Sequence, residues 1–478
     1  MVTQVKLNSN KIPKRVFILG AGFSKAILNS MPTAAELGKE LFEGLQIGIG
    51  QGKFGTTEYE NWLSRIATDQ PDLTKPENLR NRAMFETVAE EIANIIFKYS
   101  AGIVNPPLWL YEFLRICHLN QSTIITFNYD CLIENALNCD QSFGATKSTK
   151  FKKLFAADCL GWNPHTYGIE SNPSSQSLTL LKLHGSVDWK YIPEDPSGTL
   201  LRMPSENERT LLGEKGDEIL EEIKNGFPEY STFIVPPTVL KHTYLNTSVT
   251  KSIWLRAKQA IKEAGEIFVL GYSLPQSDII VGHMLRETMT SEHKLIVADL
   301  NKIAVCRQAK ALELTLAPRT RHLSGRDSIE QCVSKLASEQ AKVKLKELRE
   351  TLKRYRENEG FPKSQVTHTL PLSFQTSKGQ YNHLTFLEVQ DQILRLKARK
   401  MSLAEYNALS EEEKQNGEFL TSTLLKQIDD EKIKEIELNV GSNKYAVFDF
   451  SIEYSVGNSE KILGIVLIPS STLLFDND

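Results

Sequence analysis

The chain is poor in the features that would make it a secreted scaffold, a zinc protein or a membrane protein. Its six cysteines among 478 residues (Cys117, Cys131, Cys139, Cys159, Cys306 and Cys332) stand apart, and none forms a C-x-x-C pair. Zinc-ribbon spacing is therefore missing, and a disulfide-built scaffold does not suit a chain of this length. No apolar run approaches the ~18 residues of a membrane span. The opening segment MVTQVKLNSNKIPKR lacks an apolar signal core. Neither sign of charge dominates: 56 Lys and Arg face 59 Asp and Glu, for a formal charge of -3. That balance supplies no general attraction to nucleic acid or to an anionic membrane. No internal repeat is visible. These absences predict a soluble, cytoplasmic protein. Hydrophobic residues at 41% and charged residues at 24% fit a globular chain, and the length predicts two or three folding units.

What is present is an alternation of short apolar strands and helical patterns. Val16–Leu19 is a continuous apolar run, as in a strand buried on both faces of a parallel sheet, and it enters Gly20-Ala21-Gly22 directly. Thr33-Ala-Ala-Glu36 reads as a capping box opening a helix through about Leu45. Residues 57–119 are predicted mainly helical, with Phe85, Val88, Ile92, Ile95 and Ile96 on one buried stripe. Further strands are predicted at Thr123–Phe127, Leu178–Leu183, Phe233–Val235, Ile267–Leu270 and Leu295–Ala298. Helical patterns lie at 132–137, 250–264, 276–289 and 302–312. The fold class expected for residues 1–325 is α/β, a parallel sheet wrapped by helices, with polar surface insertions near 140–177 and 193–231. Residues 326–478 are expected to form a second, α+β domain. A helix over Ser328–Glu357 leads into alternating strands at 436–440, 446–456 and 462–468, separated by Gly/Asn turns.

In open parallel sheets, ligands sit outside the carboxyl ends of the strands. Those ends carry the distinctive polar residues here: Gly20 to Ser24, Asn128 to Asp130, His184 to Ser186, Gly271 to Ser273, and Asp299. Gly20 and Gly22 allow a tight turn and an approach of backbone amides to a phosphate. The third position of a dehydrogenase fingerprint is Lys25, not glycine. Asn128 can hold a carboxamide or a water. Asp130 can accept from a ribose hydroxyl or cap the following helix. His184 can serve as a general base or be structural, with Asp188 and Trp189 either orienting it or beginning the next element. Gly271 suits close backbone approach, Ser273 a phosphate or ribose contact, Asp278 an acceptor or helix N-cap, and Asp299 the adenosine end of a ligand.

Gly20-Ala-Gly-Phe-Ser24, Thr126-Phe-Asn-Tyr-Asp130, Leu183-His-Gly185 and Gly271-Tyr-Ser273, in this order, resemble the sirtuin-like NAD-consuming family. The closer likeness is to its bacterial anti-phage defence branch rather than to the protein deacylases, and it spans roughly residues 14–315. The resemblance implies a Rossmann-like NAD site in which Asn128 and His184 match the catalytic pair. Gly20, Ala21, Gly22 and Ser24 match the phosphate loop, Asp130 lies near the nicotinamide ribose, and Gly271 and Ser273 fall in the segment holding the adenosine half. Sirtuin deacylases carry two C-x-x-C pairs after the catalytic histidine. Only Cys306 and Cys332 follow His184 here, far apart, which points to NAD glycohydrolysis without a zinc module, with NAD as substrate and no metal.

The resemblance further implies an enzyme that rests inactive until infection or a partner releases it, and then depletes cellular NAD. Homo-oligomers are common in the group. Residues 326–478 are expected to be a regulator, an oligomerisation surface or a docking site for a partner; in related systems that partner is a helicase-type ATPase, a short Argonaute or a phage structural protein, among which the sequence does not choose. Lys147, Lys150, Lys152 and Lys153, with Phe151 and Phe155, read as a solvated loop rather than a nucleic-acid surface. An NAD or ADP-ribose sensing module without turnover and an NAD-dependent deacylase or ADP-ribosyltransferase are the alternatives.

Overall fold

The structure is a computed structural model. It describes residues 13–45, 56–100, 106–139, 178–191, 200–202, 231–238, 248–275, 278–301 and 320–358. In the last quarter it describes 380–390, 393–402, 437–440, 443–454 and 461–469. The expected helix at 302–312, the insertion at 140–177 with its lysines, and most of that at 193–231 lie outside the described residues. The chain divides into two compact units, Ile12–Cys332 and Val333–Asp478 with Met1–Lys11.

The first unit is built on a six-stranded sheet. Its strands are β1 (Arg15–Leu19), β2 (Thr123–Thr126), β3 (Thr179–Lys182), β7 (Glu266–Leu270), β8 (Lys294–Asp299) and β9 (Thr320–Ser324). They lie in the order β3-β2-β1-β7-β8-β9, and every neighbouring pair is parallel. This is a Rossmann-like sheet whose order reverses between β1 and β7. The continuous apolar runs are explained by two covered faces. Val16, Ile18, Val269 and Val297 pack with Ile253, Ala257 and Ile261 of α7 (Ser248–Glu263) and with Val281 and Leu285 of α8 (Ile279–Thr288). Phe17, of opposite parity, meets Phe268 at 4.8 Å and Phe113 of α5 (Leu108–Leu119) at 5.0 Å between ring centroids. Alternate side chains of one strand thus feed two separate layers.

After the short α1 (Ala21–Ile27), the capping box forms as expected: Thr33 and Glu36 exchange bonds at the start of α2 (Ala34–Gly44). Lys25 beside Glu36, with the Thr33 contacts, lowers its carboxyl to about 2. The predicted stripe of α4 (Lys75–Ser100) is buried against α2 and α3 (Thr56–Ile66).

Two features of the sheet differ from expectation. The strand at Phe233–Val235 does not join it. Observed as β6 (Ser231–Ile234), it pairs antiparallel with β4 (Gly185–Tyr191), which also pairs with β5 (Leu200–Arg202) in a separate three-stranded sheet. The chain leaves the parallel sheet at Gly185, whose φ of +79° lies in the left-handed region. A Cβ there would sit 2.2 Å from the Phe233 carbonyl oxygen. The sixth parallel strand is instead β9, whose polar sequence TRHLS belongs to a wet edge and carries no apolar signal.

The second unit contains a five-stranded antiparallel sheet in the order β10-β11-β14-β13-β12, formed by β10 (Gln380–Gln390), β11 (Ile393–Ser402), β12 (Glu437–Val440), β13 (Asn443–Tyr454) and β14 (Lys461–Pro469). The last three are the strands the alternation predicts; β10 and β11 are additional. The long helix α9 runs Ser328–Asn358, and the boundary between the units falls within it. Among the described residues, no helix is long and apolar enough to cross a membrane.

Candidate active site

The strand registers carry the polar strand ends to one edge of the sheet. Leu19 aligns with Thr126 on one side and Leu270 on the other, Thr126 aligns with Lys182, and Leu270 with Ala298. Gly20 and Gly271 are thus one residue past a common line, as is Asp299, while Asn128 and His184 are each two residues past it. The reversal point of the sheet, between β1 and β7, lies in their midst.

At that point the glycines serve first to let two backbones touch. A Cβ on Gly20 would lie 2.6 Å from Tyr272 Cα, and one on Gly22 would lie 2.8 Å from Gly271 Cα. Gly271 itself, at φ +60°, approaches the Phe23 nitrogen to 2.3 Å by the same measure. The Gly22 amide donates to the Gly271 carbonyl (2.8 Å), the Gly20 amide to Leu270 (3.2 Å) and the Phe23 amide to Gly20 (2.9 Å). The Ala21 amide, on an exposed residue, donates to no described group.

Asn128 is held by a directed relay. Asp130, as a carboxylate, only accepts, so the Ser24 hydroxyl donates to its Oδ2 (2.6 Å). Ser24 Oγ then accepts from Asn128 Nδ2 (2.7 Å), and the same Nδ2 donates to the Gly20 carbonyl (2.8 Å). Both amide protons are committed, which fixes the orientation of the side chain. Oδ1 remains as the acceptor that half-buried Asn128 can present. Asp130 also accepts the Leu132 amide at Oδ1 (3.1 Å), so it caps α6 (Leu132–Cys139) while ending the relay.

Behind the relay sits a buried ammonium. Lys182 donates to the Asp130 carbonyl (2.6 Å), Glu134 (2.9 Å) and Ser186 Oγ (2.6 Å), and Ser186 in turn bonds Asp188. Burial works against this charge, but Glu134 foremost, then Cys131, Asp188 and Asp130, outweigh it and hold the lysine above its ordinary range. Protonated, Lys182 cannot deprotonate Ser186. The cluster is a scaffold that ties the ends of β2 and β3 together.

His184 is 4% exposed. Its ring packs 5.0 Å from Phe127 and 6.5 Å from Trp254, whose indole donates to the Leu183 carbonyl (3.3 Å). Phe127 in turn stacks on Tyr272 at 4.6 Å. The carboxylate near His184 comes from Asp278, whose Oδ1 lies 3.9 Å from His184 Nε2. Asp188, considered from the sequence, is directed to Ser186, and Trp189 joins the core. Asp278 precedes α8 yet makes no side-chain capping bond to it. Its Oδ2 accepts from the Tyr272 hydroxyl (2.5 Å). Burial first, then the Asp278 charge and this bond, push the Tyr272 hydroxyl well up.

Ser273 is exposed on the loop after β7. Asp299 accepts the Asn301 amide (3.0 Å), and burial raises its carboxyl above the ordinary value. Neither belongs to the network around Asn128 and His184. Lys182 escapes sequence reading because a lysine in an apolar strand carries no signal of its own, and Ser186, though among the polar strand ends, received no role there. Among the described residues, no group of His, Cys, Asp and Glu is arranged to hold a metal ion.

Residues 122–298 match the family model of a SIR2-like domain. That stretch contains Asn128, Asp130, His184, Gly271, Ser273 and Asp278, while the glycine loop at 20–24 precedes it. No curated protein matches the chain. Solved Sir2 structures align with it at low similarity. One comes from work on the mechanism and regulation of Sir2 enzymes (12% identity, 64% of this chain and 88% of the other, TM-score 0.29). Another is Sir2Tm bound to a propionylated peptide (12%, 60% and 82%, TM-score 0.28). A third is Sir2 with a p53 peptide and NAD+ (12%, 60% and 82%, TM-score 0.27). By the family model, residues 122–298 of this chain are similar to a SIR2-like domain.

Proposed function

We propose that this protein is an NAD glycohydrolase that cleaves the nicotinamide–ribose bond. The observation that carries the reading is the directed relay at the reversal point of the sheet, which fixes the Asn128 amide one strand away from His184. The nicotinamide–ribose bond breaks through an oxocarbenium-like state, so a site must hold the leaving group and place a water on the opposite face. Asn128 Oδ1 accepts from the nicotinamide carboxamide or from that water. His184 removes a proton from the water, directly or through a ribose hydroxyl. The water oxygen bonds to the anomeric carbon as the C–N bond breaks, and the products are nicotinamide, ADP-ribose and a proton. In this reading the Ala21 amide and the Gly20–Ser24 loop bind the diphosphate, Asp130 serves the nicotinamide ribose as the family resemblance implies, and Gly271, Ser273 and Asp299 serve the adenosine half.

From the family resemblance we extend the reading to biology. The enzyme is an NAD-depleting effector of anti-phage defence, a homo-oligomer, released by infection or by a partner protein acting through residues 326–478.

The test is incubation of purified full-length protein with NAD, following nicotinamide by chromatography, with and without lysate from phage-infected cells. His184→Ala and Asn128→Ala are each expected to lose about 10²–10⁴-fold in rate while keeping the native circular-dichroism spectrum. Nicotinamide release that persists in either variant refutes the assignment. Release that requires an acylated peptide identifies a deacylase, and NAD binding without release under every condition identifies a sensing module.

A further inference from the structure

We propose that Asp278 is the positioning residue of His184, holding its ring and stabilising the imidazolium that forms as the histidine takes up a proton. Three observations carry this. Asp278 sits where a helix N-cap would be, yet its side chain makes no capping bond. Its two oxygens are instead divided, Oδ2 accepting from Tyr272 and Oδ1 facing His184 Nε2 at 3.9 Å. The pair is buried, with Asp278 at 6% and His184 at 4% exposure. At 3.9 Å the contact is one of charge rather than a hydrogen bond; catalytic bonds of this kind shorten when substrate binds.

The chain is shaped to deliver this carboxylate. His184 follows β3 and Asp278 follows β7, strands separated in the sheet by β2 and β1. Asp278, after the β7 loop, therefore meets the histidine across the ends of two strands. Leu274 in that loop holds φ +47°, a left-handed conformation that a leucine keeps only when its surroundings impose it. Phe127, stacked on Tyr272 and tilted against His184, lies between the two rings.

Other ionisable groups act on the same cluster. Tyr129, after β2, feels the charges of Asp278 and of Glu60 on α3; burial first, then Tyr59 and these carboxylates, keep it protonated, and its hydroxyl donates to the Val235 carbonyl (2.7 Å). Tyr272 also feels Glu60. Lys182, two residues before His184, is paired with Glu134. Asp278 thus brings a carboxylate within ion-pair distance of the imidazole. Sequence reading leaves it as an acceptor or a helix N-cap, with no partner named.

The catalytic consequence rests on the glycohydrolase reading; the pairing itself does not, and the test separates them. His184 is titrated by proton NMR in the full chain, its signal assigned by its loss in His184→Ala. Asp278→Asn, nearly isosteric and still able to accept from Tyr272, is expected to lower the His184 midpoint by about one pH unit or more. Tyr272→Phe strips the competing donor from the carboxylate and is expected to raise it. In the NAD assay, Asp278→Asn lowers kcat about 10²-fold with KM unchanged and moves the acidic limb of the pH profile down. Shifted titrations with no NAD cleavage by any form uphold the pairing and remove the glycohydrolase reading. An unchanged titration in the folded variants overturns the proposal; should Asp278→Asn fail to fold, Tyr272→Phe decides alone.

Discussion

A single hydroxyl decides which end of the Asn128 amide a ligand meets. Ser24 Oγ must donate to the carboxylate of Asp130, so it can only accept from Asn128, and the amide oxygen is left to face outward. Removing the hydroxyl breaks both bonds and leaves a buried carboxylate oxygen without its donor, at a cost of about 1–3 kcal/mol. Ser24→Ala is therefore expected to lower the melting temperature by a few degrees and to cut nicotinamide release about tenfold, the rate equivalent of about 1.4 kcal/mol of lost positioning. A variant that melts early but cleaves NAD at the native rate would show that the relay is structural only. The glycine loop and the Asn-x-Asp pair are legible as residues in the sequence. The bond that joins them is not, because 104 residues separate Asn128 from Ser24.

At the scale of elements, the site depends on how closely the β1 and β7 loops approach. Gly271 combines a positive φ with a backbone neighbour at 2.3 Å from where a Cβ would stand, and backbone cannot move aside as a flexible side chain can. Gly271→Ala is expected to destabilise the protein by about 3 kcal/mol or more, from conformational strain and overpacking together. Gly282 is the contrast: it lies inside α8, and a methyl added there would meet nothing within 4 Å. Gly282→Ala is expected to stabilise α8 by about 1 kcal/mol. Urea unfolding of both variants checks the pair, and equal effects would contradict this packing. The strands of the parallel sheet are legible because continuous apolar runs have few other uses. β9 is not, since an edge strand exposed to water needs no apolar face, and β6 misleads because its apolar core run, Phe233 and Ile234, is as buried as any in the main sheet.

For the molecule as a whole, the end of the sheet opposite the site carries a charged clasp. Arg15, Glu266 and Lys294 begin three adjacent strands and align in register; Glu266 receives Arg15 at 2.8 Å and Lys294 at 2.6 Å. Burial raises the Glu266 carboxyl, but Lys294 and Arg15 outweigh it and hold it below the ordinary 4.5. A carboxyl depressed by folding contributes stability that is fully present above its unfolded value and is lost as pH falls through the folded one. Melting temperature is thus expected to drop as pH falls below about 4.5. Glu266→Gln is expected to lose about 3–5 kcal/mol at neutral pH, because the buried ion pair between Arg15 and Glu266 is broken from one side, and to flatten that acid dependence. An unaltered pH–stability curve in the variant would remove the clasp from the account.

The sequence by itself determined the alternation of apolar strand and helix, the capping box of α2, the antiparallel strands at the carboxyl end and the polar residues at the strand ends. Each of these is a local pattern, set by which faces a short segment must bury and which backbone groups it must satisfy. Only the tertiary structure decided that β6 belongs to another sheet, that Lys182 braces Asp130, and that Asp278 turns from its own helix toward His184. Those choices depend on which distant segments share a register or an edge. A carboxylate's partner is set by distance through space, on which its neighbours along the chain are silent.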